Sequence, residues 1–115
     1  MAQDREAMDM GEALDVATTL TSIDRTVHEP ARLMILAVLR GLESADFLFL
    51  LRQTELTRGN LSSHLSKLEA AGYVEIAKEF VDKIPRTLIR LTQAGQAALD
   101  AYRRDMGSVL AELEG

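Results

Sequence analysis

The sequence contains no cysteine and no tryptophan, and only two of its 115 residues are proline. The absence of cysteine excludes disulfides, thiolate zinc sites and cysteine nucleophiles. With only three Phe and two Tyr, the chain has little of the bulky material that strands prefer. It also lacks an apolar run of the roughly 20 residues that a membrane-spanning helix needs, and its acidic start is unlike a signal peptide. We therefore expect a mainly helical, cytoplasmic protein with no membrane partner.

The length, the charge and the missing motifs narrow the class of protein further. A chain of 115 residues with a net charge of −5 suits a single domain. Neither a glycine-rich phosphate loop nor a serine nucleophile elbow is present, so we do not expect an enzyme. The two histidines, His28 and His64, lie far apart with no cysteine beside them, and we interpret both as structural residues. We predict no catalytic residues, no metal and no cofactor.

Proline, glycine and capping residues divide the chain into helical segments. Because proline disrupts a helix interior but fits its first turn, we expect one helix to end by residue 28 and the next to run from Pro30 to Gly41. A short apolar helix follows, with Ser44 or Asp46 as its N-cap. Thr57 caps a longer helix, in which leucines recur at helical spacing and small polar residues fall away from that stripe. Small hydroxyl residues are mediocre helix formers, so this polar face is expected to serve something other than stability.

After Gly72 the pattern changes to the alternation of a β-strand. Residues 74–80 and 86–91 alternate between apolar and polar side chains around a break at residues 82–85, which predicts a two-stranded hairpin. An isolated hairpin is only marginally stable, so we expect it to lie against the preceding helices. Thr92 can cap a final helix that runs to about residue 112, although Gly95 and Gly107 weaken it. The predicted fold is therefore mainly α with a small β-hairpin.

Both terminal helices carry a narrow apolar stripe whose spacing alternates between three and four residues. In one interpretation the two helices pack on each other within the chain. In the other they pair with a second copy across a two-fold axis. We favour the homodimer, whose predicted interface residues are Val16, Leu20, Ile23, Leu99, Tyr102, Met106, Val109 and Leu113.

Three consecutive helices followed by a hairpin with basic residues near its tip describe a winged helix-turn-helix. The residues add a specific resemblance over about positions 23–102. Residues 56–74, LTRGNLSSHLSKLEAAGYV, closely resemble the third helix and first wing strand of small winged-helix transcriptional regulators. Residues 23–33 are similar to the approach to the first helix of that group, and residues 85–95 to its second wing strand and the start of its terminal helix. The chain thus resembles the stand-alone winged-helix DNA-binding group related to the MarR and ArsR families.

The resemblance implies that the third helix is a recognition helix, whose N-terminal half meets the base edges in the major groove of double-stranded DNA. Arg58 can contact guanine with two hydrogen bonds, Asn60 can pair with adenine, and short hydroxyls can reach phosphates or base edges. Lys67 is better placed for a phosphate, while Gly59 either leaves room for close approach or is simply a poor helix residue. In the wing, Lys83 and Arg86 occupy positions that contact the minor groove or its phosphates in this family. The predicted DNA-binding residues are Thr57, Arg58, Gly59, Asn60, Ser62, Ser63, Ser66, Lys67, Lys83 and Arg86.

The acidity of the chain opposes DNA binding unless charge is segregated, because phosphate neutralisation supplies much of the affinity. Residues 57–90 hold six cations and four anions, a local charge of +2, which leaves the remainder at −7. The wing tip at residues 81–84 has a single lysine where two or more basic or glycine residues are common in the family. We therefore expect a weak or sequence-dependent contribution from the wing.

Two functional hypotheses follow. The first is a homodimeric repressor that binds specific double-stranded DNA, and dimerisation supports it because one acidic domain makes few phosphate contacts. The alternative is a winged-helix protein-interaction module without DNA binding, which the pI near 5.0 and the poorly basic wing favour. In both, one domain comprises an N-terminal helix at 1–28, a winged helix-turn-helix core at 30–92 and a C-terminal helix at 93–115. A crease between the terminal helices near Tyr102 is a candidate place for a small-molecule effector.

Overall fold

A computed structural model of the chain describes residue 11 and residues 15–114. The expected helix over residues 1–10 and 12–14 lies outside the described residues. Within the described part, the helices are α1 (15–22), α2 (Pro30–Leu39), α3 (Phe47–Thr54), α4 (Arg58–Ala70) and α5 (Gln93–Glu114). The strands are β1 (Ala45–Asp46), β2 (Val74–Val81) and β3 (Ile84–Leu91). None of the helices described is both long enough and apolar enough to cross a membrane.

Helix α2 lies at the centre of the core, as its almost wholly apolar sequence predicts. Pro30 occupies its first turn, and the Glu29 carboxylate caps it by accepting the backbone N–H of Arg32 at 2.8 Å. The helix ends at Leu39, two residues before Gly41. Its inner side chains are completely buried together with those of α3, α4 and β3. The fully buried residues of this core include Ile35, Leu36, Leu39, Leu50, Leu61, Leu68 and Ile89.

Helices α3 and α4 form the helix-turn-helix. The Asp46 carboxylate caps α3 by accepting the backbone N–H of Leu48 at 2.7 Å. A turn of three residues follows, in which Glu55 adopts the left-handed conformation with φ 57°. Thr57 then caps α4 as predicted, since its hydroxyl oxygen accepts the backbone N–H of Asn60 at 3.1 Å. The local capping chemistry therefore sets where both helices begin.

The sheet has three strands in the order β1, β3, β2, one more than the hairpin predicted from the sequence. Residues Ala45 and Asp46 pair with Ile89 and Leu88, and a two-residue strand is too short to leave a periodic pattern. The hairpin turn is also tighter than expected, because only Asp82 and Lys83 form it.

Both residues of this hairpin turn are left-handed, with φ 52° for Asp82 and 68° for Lys83. Such two-residue turns match the twist of the strands. Pro85, which we had placed in the break, lies in β3 opposite Phe80. No described strand flanks β3 on its outer side at Pro85, so the missing N–H of proline leaves no ladder bond unmade. Helices α2 to α4 followed by this hairpin confirm the predicted winged helix-turn-helix.

The N-terminal helix does not continue to residue 28, so that expectation is wrong. Helix α1 ends at Ser22, and residues 23–29 form a turn that leads into α2. The Asp24 carboxylate accepts the backbone N–H groups of Thr26 at 2.9 Å and Val27 at 3.3 Å, which satisfies them outside a helix. Ile23 and Val27 are 5% and 0% exposed. Their apolar spacing therefore reflects burial under the core of the same chain rather than a helical stripe.

The start of α5 is locked against the start of the hairpin. The Thr92 hydroxyl accepts the backbone N–H of Gly95 at 3.0 Å and donates to the carbonyl oxygen of Gly72 at 2.6 Å. A Cβ atom on Gly95 would overlap the carbonyl oxygen of Tyr73 and crowd Leu91. Gly95 is thus required by close packing between α5 and the hairpin, which the sequence pattern showed only as a weak helix position.

Candidate nucleic-acid interface

Helix α4 has one completely apolar face and one polar face. Leu61, Leu65 and Leu68 are 0%, 2% and 0% exposed and anchor the helix on the core. The opposite face is open to solvent along the whole helix. Its exposed residues are Thr57, Arg58, Gly59, Asn60, Ser62, Ser63, Ser66 and Lys67. The structure therefore brings together on one surface all the residues that were predicted on this helix.

The N-terminal turn of α4 presents a mixed set of hydrogen-bonding groups. The Thr57 hydroxyl oxygen is engaged in capping but its proton remains able to donate. Within the described chain, a Cβ added at Gly59 would meet no atom within 4 Å. Glycine at this position is therefore not required by packing inside the protein. The guanidinium of Arg58 can approach a base edge with two parallel donors, and the Asn60 amide offers both donors and an acceptor.

His64 holds α4 against α2, in agreement with a structural role. Its Nδ1 lies 3.2 Å from an Arg32 guanidinium nitrogen and 3.7 Å from the Glu29 carboxylate. Burial of Glu29 opposes ionisation, but hydrogen bonds from the backbone of Arg32 and Ala31 and the charges of His64 and Arg32 outweigh it. Together these interactions hold the pKa of the Glu29 carboxyl below its ordinary value. The polar cluster fixes the orientation of α4 from behind.

Tyr73 ties the base of the hairpin to the turn at residues 23–29. Its hydroxyl donates a hydrogen bond to the Asp24 carboxylate. This hydrogen bond, together with burial and the negative charge of Asp24, raises the pKa of Tyr73 to about 12. The Tyr73 carbonyl oxygen also accepts the backbone N–H of Thr92 at 3.0 Å. One residue therefore links three segments around the polar face of α4.

The wing places its two predicted DNA-binding residues in different environments. Arg86 is part-buried and lies 3.5 Å from the carboxylate of Asp46, which ties the wing to the start of α3. Arg86 also lines, together with Arg58, a hollow of about 180 Å³ between the wing and the recognition helix. Lys83 is exposed in the turn and forms no ion pair with any described residue. The structure thus joins Arg86 to the α4 site and leaves Lys83 at the end of the hairpin.

The wing tip is largely apolar. Phe80, which the alternation groups with the inward-facing Val74 and Ile76, is 78% exposed because the hairpin extends past the helices that cover its base. Val81 and Ile84 are 44% and 50% exposed beside the turn. The tip therefore offers apolar surface where the resembled family has basic or glycine residues.

The predicted interface stripe of the terminal helices divides into an inner and an outer part. Ile23, Leu99 and Val109 are only 5%, 6% and 5% exposed, so this chain already covers them. Val16 and Val109 line the same hollow of about 150 Å³, which shows α1 and α5 next to each other within one chain. Tyr102 and Met106 are half-buried and line a larger hollow of about 500 Å³.

The outer part of this stripe is open to solvent. Leu20 is 41% and Leu113 is 72% exposed, and Leu110, which the prediction left out, is 55% exposed. His28, a residue we interpreted as structural, contacts the Tyr102 hydroxyl through its Nδ1 at 2.8 Å. The apolar side chains left without cover thus lie toward the ends of α1 and α5.

One part of the surface around α4 was not predicted from the sequence. A hollow of about 430 Å³ lies beside the C-terminal half of α4 and is lined by Arg25, Thr26, Arg32, Lys67, Ala70 and Ala71. Arg25 and Arg32 come from the segment that we quoted only for its resemblance to the approach to the first helix. Because residues 23–28 were predicted to be part of a helix, no sequence pattern placed Arg25 next to Lys67.

Sequence and structure comparisons place this geometry in a known family. The family described as "Winged helix DNA-binding domain" matches residues 31–110, and the chain belongs to it. The chain is also similar to uncharacterized protein MJ0432 of Methanocaldococcus jannaschii. The two are 42% identical over 71 residues, which are 62% of this chain and 77% of that protein.

Solved structures of transcriptional regulators share the fold. The transcriptional regulator homologue protein from Pyrococcus horikoshii OT3 superimposes with a TM-score of 0.78 at 28% identity, over 88% of this chain and 98% of that one. Wild-type apo MarR from E. coli gives a TM-score of 0.67 at 20% identity, over 97% and 80% of the two chains. The predicted winged-helix family is confirmed, and the fold is shared with MarR. The matched family is a DNA-binding domain and the fold is that of solved transcriptional regulators, so the expectation that the chain is not an enzyme is confirmed as well.

Proposed function

We propose that this winged-helix protein is a homodimeric, sequence-specific DNA-binding repressor that inserts α4 into the major groove. The observation that carries the proposal is the outer face of α4, where eight consecutive or near-consecutive exposed positions are polar, charged or glycine. Three buried leucines fix the opposite face, so the donors on the outer face keep a defined geometry. Fixed donors and acceptors on a groove-sized helix are what base readout requires.

Base readout is assigned to the N-terminal half of α4. Arg58 and Asn60 have the side chains that pair with guanine and adenine in the major groove. The hydroxyls of Ser62, Ser63 and Ser66 are donors for base edges or phosphates, and Lys67 neutralises a phosphate. The wing contributes less to DNA binding, since the Arg86 guanidinium is paired with the Asp46 carboxylate and the wing tip is apolar.

The homodimer is supported by the apolar side chains that one chain leaves open on its terminal helices. Leu110 and Leu113 on α5 and Leu20 on α1 are all more than 40% exposed. Exposed leucines on neighbouring helices are typical of surfaces that pair with a second copy. Pairing across a two-fold axis lets two recognition helices meet successive major grooves about 34 Å apart. A DNA-bound dimer of this kind represses by occupying a promoter.

Fluorescence anisotropy tests the DNA-binding proposal. The probe is the duplex from upstream of the protein's own coding sequence, with a scrambled duplex of equal length as control, at two salt concentrations. We expect tight binding to the upstream duplex alone, with an affinity that falls steeply as salt rises because counterions are released. Equal binding to both duplexes would contradict specific readout, and binding to neither at low salt would contradict DNA binding.

Sedimentation tests the homodimer separately. We expect a species of about twice the 12.7 kDa chain mass at micromolar concentration. Replacing Leu113 by Glu places a charge in the exposed apolar surface and is expected to shift the distribution toward monomer without unfolding the domain, since Leu113 is 72% exposed. A wild-type protein that sediments only as a monomer would contradict the dimer.

The second candidate function is a protein-interaction module. The apolar wing tip favours it, because Phe80, Val81 and Ile84 form exposed surface of the type that protein partners cover. A pull-down that recovers a stoichiometric protein partner, from a protein that binds no duplex, would support this alternative. Loss of that partner on Phe80→Ser substitution would place the contact at the wing.

A further inference from the structure

We infer that the hollow between α4 and the turn at residues 23–29 binds a backbone phosphate of DNA, and that the exposed Arg25 supplies a positive charge to it. We call this second DNA contact the clamp. The inference rests on the proposed DNA-binding function and adds a residue outside both the recognition helix and the wing. The hollow has a volume of about 430 Å³ and is lined by Arg25, Thr26, Arg32, Lys67, Ala70 and Ala71. No carboxylate belongs to this lining.

Two of the three cations around the hollow, Arg25 and Lys67, form no ion pair within the described part of the chain. Its ion pairs join Arg40 to Asp100, His64 to Glu29, and Arg86 to Asp46, and none includes Arg25 or Lys67. The charge of the third cation, Arg32, is partly offset by the nearby Glu29 carboxylate, which also accepts the backbone N–H of Arg32 and lies near the ring of His64. Two unpaired cations around one cavity, with the Arg32 guanidinium beside them, favour an anionic ligand.

The turn that carries Arg25 is rigid. The Arg32 guanidinium donates to the carbonyl oxygens of Thr26 at 2.6 Å and Arg25 at 3.3 Å, while its third contact is His64. Asp24 accepts two backbone N–H groups of the same turn and the hydroxyl of Tyr73. The backbone of Arg25 is therefore fixed, and its exposed side chain projects from an ordered support. Two of the five donors of Arg32 bind these carbonyl oxygens, so donors remain for a phosphate oxygen.

The length of α4 argues that the anion is a DNA phosphate. Its 13 residues span about 20 Å, whereas the major groove of B-DNA is about 12 Å wide. If the N-terminal half of α4 lies at the base edges, its C-terminal half must cross the phosphate backbone at one wall of the groove. Lys67 and Ala70 lie in that half, and they form one side of the hollow. The small alanine side chains allow a backbone phosphate to approach closely, with Arg25 on the other side.

The test compares Arg25→Ala with Arg104→Ala in the full chain, by anisotropy with the upstream duplex across a salt series. Arg104 is exposed on α5, so both variants lower the net charge equally. We expect Arg25→Ala to reduce the slope of log affinity against log salt by about one and to weaken binding about tenfold at 0.1 M salt. Arg104→Ala is expected to leave the slope unchanged. Arg25→Lys is expected to restore most of the slope, because a point charge suffices for a phosphate.

The possible results separate the clamp from the proposed function. A wild-type slope in Arg25→Ala, with the wild-type protein still binding the duplex, would overturn the clamp and leave DNA binding by α4 intact. Equal slope losses in Arg25→Ala and Arg104→Ala would also overturn it, because the salt dependence would then follow the net charge of the protein and not the position of Arg25. If the wild-type protein binds no duplex, the proposed function fails and the clamp fails with it.

Discussion

Helix α4 and the wing belong to one winged domain, but their exposed surfaces differ in polarity. The outer face of α4 is polar and its cations form no ion pair with a described residue, whereas the wing tip exposes Phe80, Val81 and Ile84. The wing's best-placed cation, Arg86, lies 3.5 Å from the carboxylate of Asp46. Arg58 and Lys67 on α4 and Arg25 on the turn at residues 23–29 therefore offer cations to DNA away from this apolar tip.

This difference explains how a chain with a negative net charge can have a DNA-binding fold. Phosphate neutralisation depends on where charges lie, and a local concentration of arginine and lysine is effective even when the net charge is −5. The wing's contribution to folding is nevertheless large at its base, where Gly95, Tyr73 and Thr92 lock the hairpin to α5. The base and the tip of the wing can thus be tested separately.

The largest expected effect is on stability, at the base of the wing. Gly95→Ala forces a methyl group into the Tyr73 carbonyl oxygen, and we expect a loss of about 3 kcal/mol in the free energy of unfolding. Gly107→Ala is the matched control on the same helix, since no described atom lies within 4 Å of its added Cβ. It should stabilise the protein by up to about 1 kcal/mol. Denaturant titration measures both, and equal stabilities would contradict the close packing seen at Gly95.

The next largest effect is on base readout by the recognition helix. Arg58→Ala removes the side chain best suited to guanine, and we expect a loss of about 1–3 kcal/mol in binding free energy together with relaxed specificity. Competition anisotropy with single-base variants of the duplex measures both quantities. Because Arg58 is exposed, circular dichroism should show an unchanged fold. Retained affinity and specificity would remove Arg58 from the proposed site.

Two lysine variants then compare the phosphate contacts of α4 with those of the wing. Lys67→Ala should weaken binding to all duplexes alike and lower the salt slope by about one. Lys83→Ala, with the same change of charge at the wing tip, should lower the slope by less. Salt titrations of the two variants give the result. A larger slope change for Lys83 would reverse the comparison and make the wing the principal phosphate contact.

The smallest effect is confined to alkaline pH. Tyr73 has a pKa of about 12 in the folded protein, above its ordinary value of 10.0, because its hydroxyl donates to Asp24. A raised folded-state pKa means that the stabilisation is fully present below pH 10 and is lost as the pH rises from 10 to 12. Absorbance at 295 nm should show a tyrosine ionising near pH 12 in the wild type. If Tyr73→Phe kept that phase, the assignment would be wrong.

Much of the winged domain was predictable from local chemistry. Thr57 and Thr92 cap the predicted helices, and the leucine stripe of α4 is buried as its spacing requires. The hairpin followed from alternation, although its turn is two residues long rather than four. The polar face of α4 was predicted as one surface because helical spacing alone brings its residues together.

What the sequence left out depends on contacts between distant segments. Strand β1 exists because Ala45 and Asp46 meet β3, more than 40 residues away in the chain. The turn at residues 23–29 carries an apolar spacing that also fits a helix, and only burial of Ile23 and Val27 distinguishes the two. The predicted interface stripe mixed residues buried within the chain, such as Val109, with exposed ones such as Leu113.

The sequence by itself determined helices α2 to α5, the caps at Thr57 and Thr92, the wing hairpin and the polar face of α4. Each of these depends on the order and spacing of neighbouring residues, which act through backbone geometry and local hydrogen bonds. The tertiary structure alone decided that Gly95 must be glycine, that Arg86 pairs with Asp46, and that Arg25 lies across a hollow from Lys67. These features arise where segments far apart in the chain pack together, and close packing leaves no periodic signal in the sequence.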